Sequence, residues 1–164
     1  MPYWHKKVTK TADIRTEMGH TMEAGCGIYR QQDLMEATVE KLTELRKRFK
    51  NISIKDKGKV FNTDLLYAIE VGYGLEVAEA MAHSAINRRE SRGAHQRLDE
   101  GCTERDDVNF LKHTLAFYNG DDAPRIEYSD VTITKSQPKA RLYGAAAEEA
   151  AAKEAAEQQQ KEQA

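Results

Sequence analysis

The densest run of chemistry-bearing side chains is Asn87-Arg88-Arg89-Glu90-Ser91-Arg92-Gly93-Ala94-His95-Gln96-Arg97-Leu98-Asp99. Four arginines crowd there against Glu90, His95 and Asp99, with Gly93 able to turn the chain among them. A guanidinium is a planar fork that meets a carboxylate or phosphate through paired hydrogen bonds. Such a run therefore suits an internal network or a docking surface. The plainer alternative is a helix end whose arginines favour the negative pole of the dipole. Arg89, Glu90, Arg92, His95, Arg97 and Asp99 are the candidate interaction residues, and no catalytic role is assigned to them.

Other reactive groups form no recognisable constellation. His20, His83, His95 and His113 are scattered, without the spacing of a zinc site. Asp99, Glu100, Glu104, Asp106 and Asp107 cluster but lack the pattern of a calcium loop, so a solvated loop is the expectation. Cys102 has Arg105 nearby but no histidine placed to act as its base. Gly72-Tyr73-Gly74-Leu75-Glu76 comes nearest to a dinucleotide fingerprint, yet it lacks the third glycine and lies inside a helical pattern. No metal or cofactor site is expected.

The elements that position these groups follow from periodicity. Ile14, Met18, Met22 and Cys26 recur four apart, which predicts a helix from Thr11 that the Gly25-Cys26-Gly27 stretch ends. Met35, Val39, Leu42, Leu45 and Phe49 mark a second helix with a charged outer face. A third starts at Asn62 as N-cap, with Phe61 stapled onto Leu66, and runs to about Ser91 with Gly93 as its C-cap residue. Gly72 and Gly74 within it mark places where another element packs close. Short loops between three such helices imply an antiparallel bundle.

Beyond Gly93 the character changes. Thr103 and Asp106 resemble a capping box ahead of a helical turn near Val108 to Lys112. Thr114 to Tyr118 and Arg125 to Ile133 read as two strands joined by an Asn119-Gly120-Asp121-Asp122 turn. The fold class is thus mainly α: a three-helix bundle, then a small α+β segment with a hairpin, then an Ala/Glu-rich tail. The corresponding divisions are a leader at 1–11 that need not belong to the domain, the bundle at 12–95, the small segment at 96–143 and a solvated tail at 144–164.

Composition sets limits on partners. The 164 residues carry a net charge of −2, with 40% hydrophobic and 32% charged residues. That balance gives no field to draw nucleic acid. No apolar run approaches the length that crosses a bilayer, and the first ten residues lack the apolar core of a signal peptide. Cys26 and Cys102 share no C-x-x-C spacing and read as two reduced thiols. A cytoplasmic chain without direct membrane insertion is the expectation.

Arg89-Glu90-Ser91-Arg92-Gly93-Ala94-His95, with Arg97 and Asp99, resembles the C-terminal region of the succinate dehydrogenase, fumarate reductase and L-aspartate oxidase flavoproteins. The continuation from Arg97 to Leu115, which includes Glu100-Gly101-Cys102-Thr103-Glu104, looks like the bacterial quinol:fumarate reductase member. Met22 to Arg30 and Val60 to Leu66 resemble the same subunit, and the likeness runs from about Asp13 to Tyr143. The resemblance implies a longer parent that binds FAD and reduces fumarate to succinate in anaerobic respiration. That parent would meet an iron–sulfur subunit and, indirectly, membrane anchor subunits at the cytoplasmic face of the bacterial inner membrane.

The family's flavin-linking, substrate-clamping and proton-delivering residues fall on no position of this chain. The chain alone is therefore expected to be structural, with FAD held by the parent and none here. The alternatives are the same domain of a succinate dehydrogenase or an L-aspartate oxidase, or an independent helical adaptor.

Overall fold

A computed structural model describes residues 9–138, together with residues 144, 145, 149 and 152. The leader read at 1–11 falls mostly outside these residues, as does nearly all of the tail read at 144–164. The chain divides into two units, Met1–Val131 and Thr132–Ala164. Every element named below belongs to the first; in the second, residues 132–138 form neither helix nor strand.

Three helices, α1 (Thr11–Cys26), α2 (Gln32–Phe49) and α3 (Thr63–Asn87), each pack on the other two. The chain is mainly α, with a small α+β part after the bundle. Ile14 of α1, Met35, Leu42 and Leu45 of α2, and Leu75 of α3 fill its centre at 1% exposure or less. On α3 the buried positions Ala68, Val71, Leu75, Ala78, Ala82 and Ala85 alternate at three- and four-residue steps. Their many alanines let the helices approach closely.

Charged side chains tie the helices from outside. Arg48 of α2 meets Glu17 of α1 with both terminal nitrogens, at 2.7 and 2.6 Å. Arg46 reaches the buried Glu79 of α3 at 2.6 Å and the Gly120 carbonyl at 2.8 Å. Arg46, Lys47 and Arg48 also occupy the last turn of α2, where positive charge complements the helix dipole.

Close approach explains three glycines. A Cβ on Gly25 would lie 1.9 Å from Thr38 Oγ1 and 2.6 Å from the Leu34 carbonyl, so α1 and α2 touch there backbone to backbone. A Cβ on Gly72 would meet the Phe49 ring at 3.0 Å, and one on Gly74 would meet Met18 at 3.3 Å. Both glycines sit where the sequence placed a close packing partner. Gly25→Ala should lower stability by about 1–3 kcal/mol, because overpacking outweighs the helix propensity gained. Urea unfolding checks this, and an alanine variant as stable as the parent would contradict it.

The small elements are β1 (Tyr29–Arg30), β2 (Gln96–Arg97), α4 (Asp107–Phe110), β3 (Lys112–Phe117) and β4 (Arg125–Asp130). β1 and β2 pair in parallel, Tyr29 with Gln96 and Arg30 with Arg97. β3 and β4 form an antiparallel hairpin from Lys112–Asp130 to Phe117–Arg125. Gly120 takes φ +64° at its tip, where the Asp122 amide donates to the Asn119 carbonyl at 3.2 Å.

Several local expectations are corrected. α3 ends at Asn87 rather than Ser91, because Arg88 adopts an extended conformation and carries Glu90 and Ser91 off the helix. Gly93, at φ +60°, therefore turns a separate loop rather than capping α3; there Arg92 and His95 exchange backbone hydrogen bonds of 2.9 and 3.0 Å. Asp106 caps α4, accepting from Val108 and Asn109, instead of completing a box with Thr103. β4 stops at Asp130, which pairs with Lys112, the first residue of β3, rather than running on to Ile133. Asn62 does cap α3, accepting from the Leu65 amide at 2.8 Å, but Phe61 is 94% exposed and staples nothing.

Candidate functional site

The run from Arg88 to Asp99 leaves α3, turns at Gly93 and returns as β2, so its side chains converge on the ends of α2 and α3. Two carboxylate centres result, one around Glu90 and one around Asp99.

Glu90 is fully buried. Its Oε1 accepts from Arg88 Nη1 at 2.5 Å and Arg92 Nε at 2.8 Å. Its Oε2 accepts from Arg92 Nη2 at 3.0 Å and from the Asp106 amide at 2.8 Å. Burial pushes this carboxyl up, but the bonds from Arg92, the Asp106 amide and Arg88 outweigh it and hold the group below the usual carboxylate range. Arg88 goes on to the Phe110 and Lys112 carbonyls and Thr114 Oγ1, each at 2.8 Å. Its guanidinium also faces the Phe110 and Tyr128 rings, at 5.6 and 5.9 Å from their centroids. One carboxylate thus ties the end of α3 to α4 and the hairpin.

Arg97, 2% exposed, forms the second centre. Its Nη1 donates to the Ala85 and Ile86 carbonyls, both at 3.3 Å, near the C-terminus of α3. Its Nη2 donates to Gln32 Oε1 at 2.8 Å, and its Nε to Asp99 Oδ2 at 2.5 Å. Asp99 Oδ1 accepts the Gln32 backbone N–H at 2.8 Å, where α2 begins. Gln31, at the N-cap position, makes no such bond with its own side chain. The cation lies at the negative end of one helix and the anion at the positive end of the other. Burial raises the Asp99 carboxyl, but the Gln32 amide and Arg97 draw it below its ordinary value.

His95 closes the cluster. Nε2 lies 2.9 Å from the Arg88 carbonyl and must donate to it, so Nδ1 is left to accept from Arg30 Nη1 at 2.7 Å. That is the neutral ring. Burial lowers the His95 pKa; the bond to the Arg88 carbonyl opposes this, and the charges on Arg30, Arg97 and Arg88 lower it further. The folded domain therefore binds this proton more weakly than the unfolded chain does. The stability that the neutral ring contributes is complete above the ordinary value near 6.5 and is lost as pH falls from there through the lower folded value. His83, lowered by burial, acts with the same sign. His95→Gln should flatten the slope of unfolding free energy against pH below 6.5; an unchanged slope would contradict the assignment.

Five of the six expected residues belong to this network. Arg89 does not: it is exposed and has no hydrogen-bond or ion-pair partner among the described residues. The sequence did not point to Arg30, Gln32 or Ser91 as partners. Ser91 Oγ takes the Arg97 amide at 2.8 Å and donates to the Cys102 carbonyl at 2.9 Å. Sequence proximity to Arg97 was the only visible clue to it.

The neighbouring acids are engaged elsewhere. Asp106 caps α4, while Asp107 binds Arg92 at 2.6 Å and Arg105 at 2.5 Å and is held near a pKa of about 2, chiefly by Arg105 and then Arg92. Arg105 thus turns to Asp107, and Cys102 lies buried at 1% exposure. Among the described residues no three His, Cys, Asp or Glu side chains gather as a metal site. No described helix is long and apolar enough to cross a membrane. Gly72 and Gly74 lie inside α3 against Phe49 and Met18, so their amides are committed to the helix and cannot cradle a phosphate. What this cluster can do is fix elements in place.

A family profile described as fumarate reductase flavoprotein C-term matches residues 15–143. The chain is 72% identical over 136 residues to a fumarate reductase flavoprotein subunit of Proteus vulgaris, covering 83% of this chain and 23% of that one. For the subunit of Escherichia coli K12 the identity is 66% over 137 residues, covering 84% and 23%. A solved E. coli quinol fumarate reductase chain superposes with a TM-score of 0.78 at 65% identity, covering 82% of this chain and 23% of that one. The chain thus spans about a quarter of the length of the curated relatives it matches.

Proposed function

This chain belongs to the fumarate reductase flavoprotein C-terminal family, and from that premise we propose that it is the supporting domain of an FAD-dependent fumarate reductase. It packs on the FAD-bearing part of the same subunit and contributes to the surface that meets the iron–sulfur subunit. The parent passes electrons from menaquinol through iron–sulfur clusters to FAD and reduces fumarate to succinate. Membrane anchor subunits hold that complex at the cytoplasmic face of the inner membrane.

The observation that carries the reading is the outer face of α3. Leu66, Ile69, Tyr73, Val77 and Met81 follow one another at three- and four-residue steps and are 43–64% exposed. With Ala68 to Ala85 buried on the opposite side, α3 is apolar on two faces, the pattern of a helix covered on both. Burying a large apolar side chain is worth about 1.5–3 kcal/mol, so five half-exposed ones can seat a neighbouring domain. Glu70 and Glu76 flank this stripe and suit a partner with a basic rim.

Gly72 and Gly74 are packed inside α3, and a Cβ at Gly25 or Gly27 would meet Thr38 or the Glu23 carbonyl, so neither glycine pair offers an open loop to a flavin dinucleotide. FAD chemistry is therefore left to the parent's remaining length. The Arg88–Asp99 network serves to position: it locks the end of α3 so that its outer face is presented as a rigid surface.

Co-expression of this chain with the FAD-bearing part of a fumarate reductase flavoprotein tests the reading. A stable complex on size exclusion, lost on Tyr73→Glu, is the expected result. Failure of the two pieces to associate would refute it.

A further inference from the structure

Phe61 is the one non-glycine residue with positive φ among those described, at +52°. For a bulky L-residue that region crowds Cβ against the backbone. The ring is also 94% exposed, so no intramolecular packing offsets the strain. A conformation disfavoured by both backbone and solvent persists only where the surrounding loop imposes it.

The loop does impose it. Asn62 Nδ2 donates to the Asp56 and Gly58 carbonyls at 3.0 and 2.9 Å, while its Oδ1 caps α3. Asp64 Oδ2 accepts the Lys55 amide at 2.7 Å, and Asp56 Oδ1 accepts the Gly58 amide at 2.7 Å. The Thr63 amide closes onto the Phe61 carbonyl itself at 2.9 Å. These bonds fix both sides of Phe61 and leave its side chain outside. A ring so held has already given up much of the freedom that binding would otherwise cost.

Its surroundings define the surface it fits. Val60 beside it is 75% exposed, and Leu65 and Leu66 carry the apolar surface on to the outer stripe of α3. Lys55, Lys57 and Lys59 lie on the same exposed loop. The geometry points to Phe61 as the anchor that enters an apolar pocket with a carboxylate rim on the FAD-bearing part of the subunit. This rests on the docking proposed above and adds a specific residue to it: the body that covers α3 also receives the ring. Rigid aromatic side chains at the centre of an interface carry a disproportionate share of its affinity.

The test is titration of the full 164-residue chain against the FAD-bearing part of a fumarate reductase flavoprotein lacking this region. Phe61→Ala and Phe61→Gly should each weaken binding at least tenfold, while Phe61→Trp should retain most of it. Phe61→Gly should also leave the melting temperature of the free chain equal or higher, since glycine tolerates the left-handed region; that separates lost contact from lost fold. Lys59→Glu should weaken binding more at low salt than at high salt. If the unaltered chain binds and Phe61→Ala binds equally well, the anchor is refuted and the docking stands. If the unaltered chain does not bind, both fall.

Discussion

Arg97→Met is expected to bring the domain close to unfolding, with a loss of about 3–5 kcal/mol, the range for breaking a buried pair by removing one partner. A whole domain is typically stable by only about 5–15 kcal/mol. The size follows from what the guanidinium serves. It binds two carbonyls near the end of α3, the Gln32 side chain where α2 starts, and Asp99. Methionine fills the volume but donates nothing, so those acceptors stay buried and unpaired. Arg97→Lys should recover only part of the loss, since an ammonium cannot reproduce a fork that reaches three places at once. Denaturant unfolding of Arg97→Met, of Asp99→Asn and of the double variant forms the check. The double variant should cost clearly less than the sum of the singles; additivity would show that the pair does not couple.

Glu90→Gln should cost a comparable amount, about 3–5 kcal/mol, although the side chain keeps its shape. The carboxylate accepts from two guanidinium groups and one amide with no exposure to water. An amide group supplies one accepting oxygen and two donors, so its nitrogen would face Arg92 or Arg88; Arg88 would lose its carboxylate partner and Arg92 would keep only Asp107. Arg88 also holds the start of the hairpin, so loosening should spread to Lys112–Asp130. Hydrogen exchange reads this out: β3 and β4 amides should lose protection before those of the bundle core. Equal loss everywhere would mean that Glu90 does not act through the hairpin.

Bundle and hairpin were legible in the sequence because both rest on local periodicity. Ile14 to Cys26 and Met35 to Phe49 mark their helices by spacing alone, and Asn62 is a cap that works over three residues. Part of the cluster was legible as well: Arg88, Arg92 and Arg97 lie beside Glu90 and Asp99 in the sequence and pair with them in the fold, whereas Arg89 of the same run stays exposed. What could not be read were contacts closed across the chain. Arg30 with His95 and Gln32 with Arg97 are each 65 residues apart, and nothing within either segment announces the other. The end of α3 was misplaced for the same reason. Asn87 to Ser91 has acceptable helix propensity, and it leaves the helix where Arg88 turns to the Phe110 and Lys112 carbonyls and Glu90 to the Asp106 amide, contacts 16 to 24 residues away. Phe61 failed a local rule in a different way, because the hydrogen bonds of its loop turn it outward.

The connection between α1 and α2 has one more consequence, for anyone cutting or grafting this protein. Five residues, 27–31, join the two helices, and so short a surface link is where an insertion or a circular permutation would ordinarily be attempted. Here the link is itself a template. The Ile28 and Arg30 carbonyls receive the Gln96 and Leu98 amides, and Arg30 reaches His95. An added residue would shift that register and unseat Arg97 from both helices.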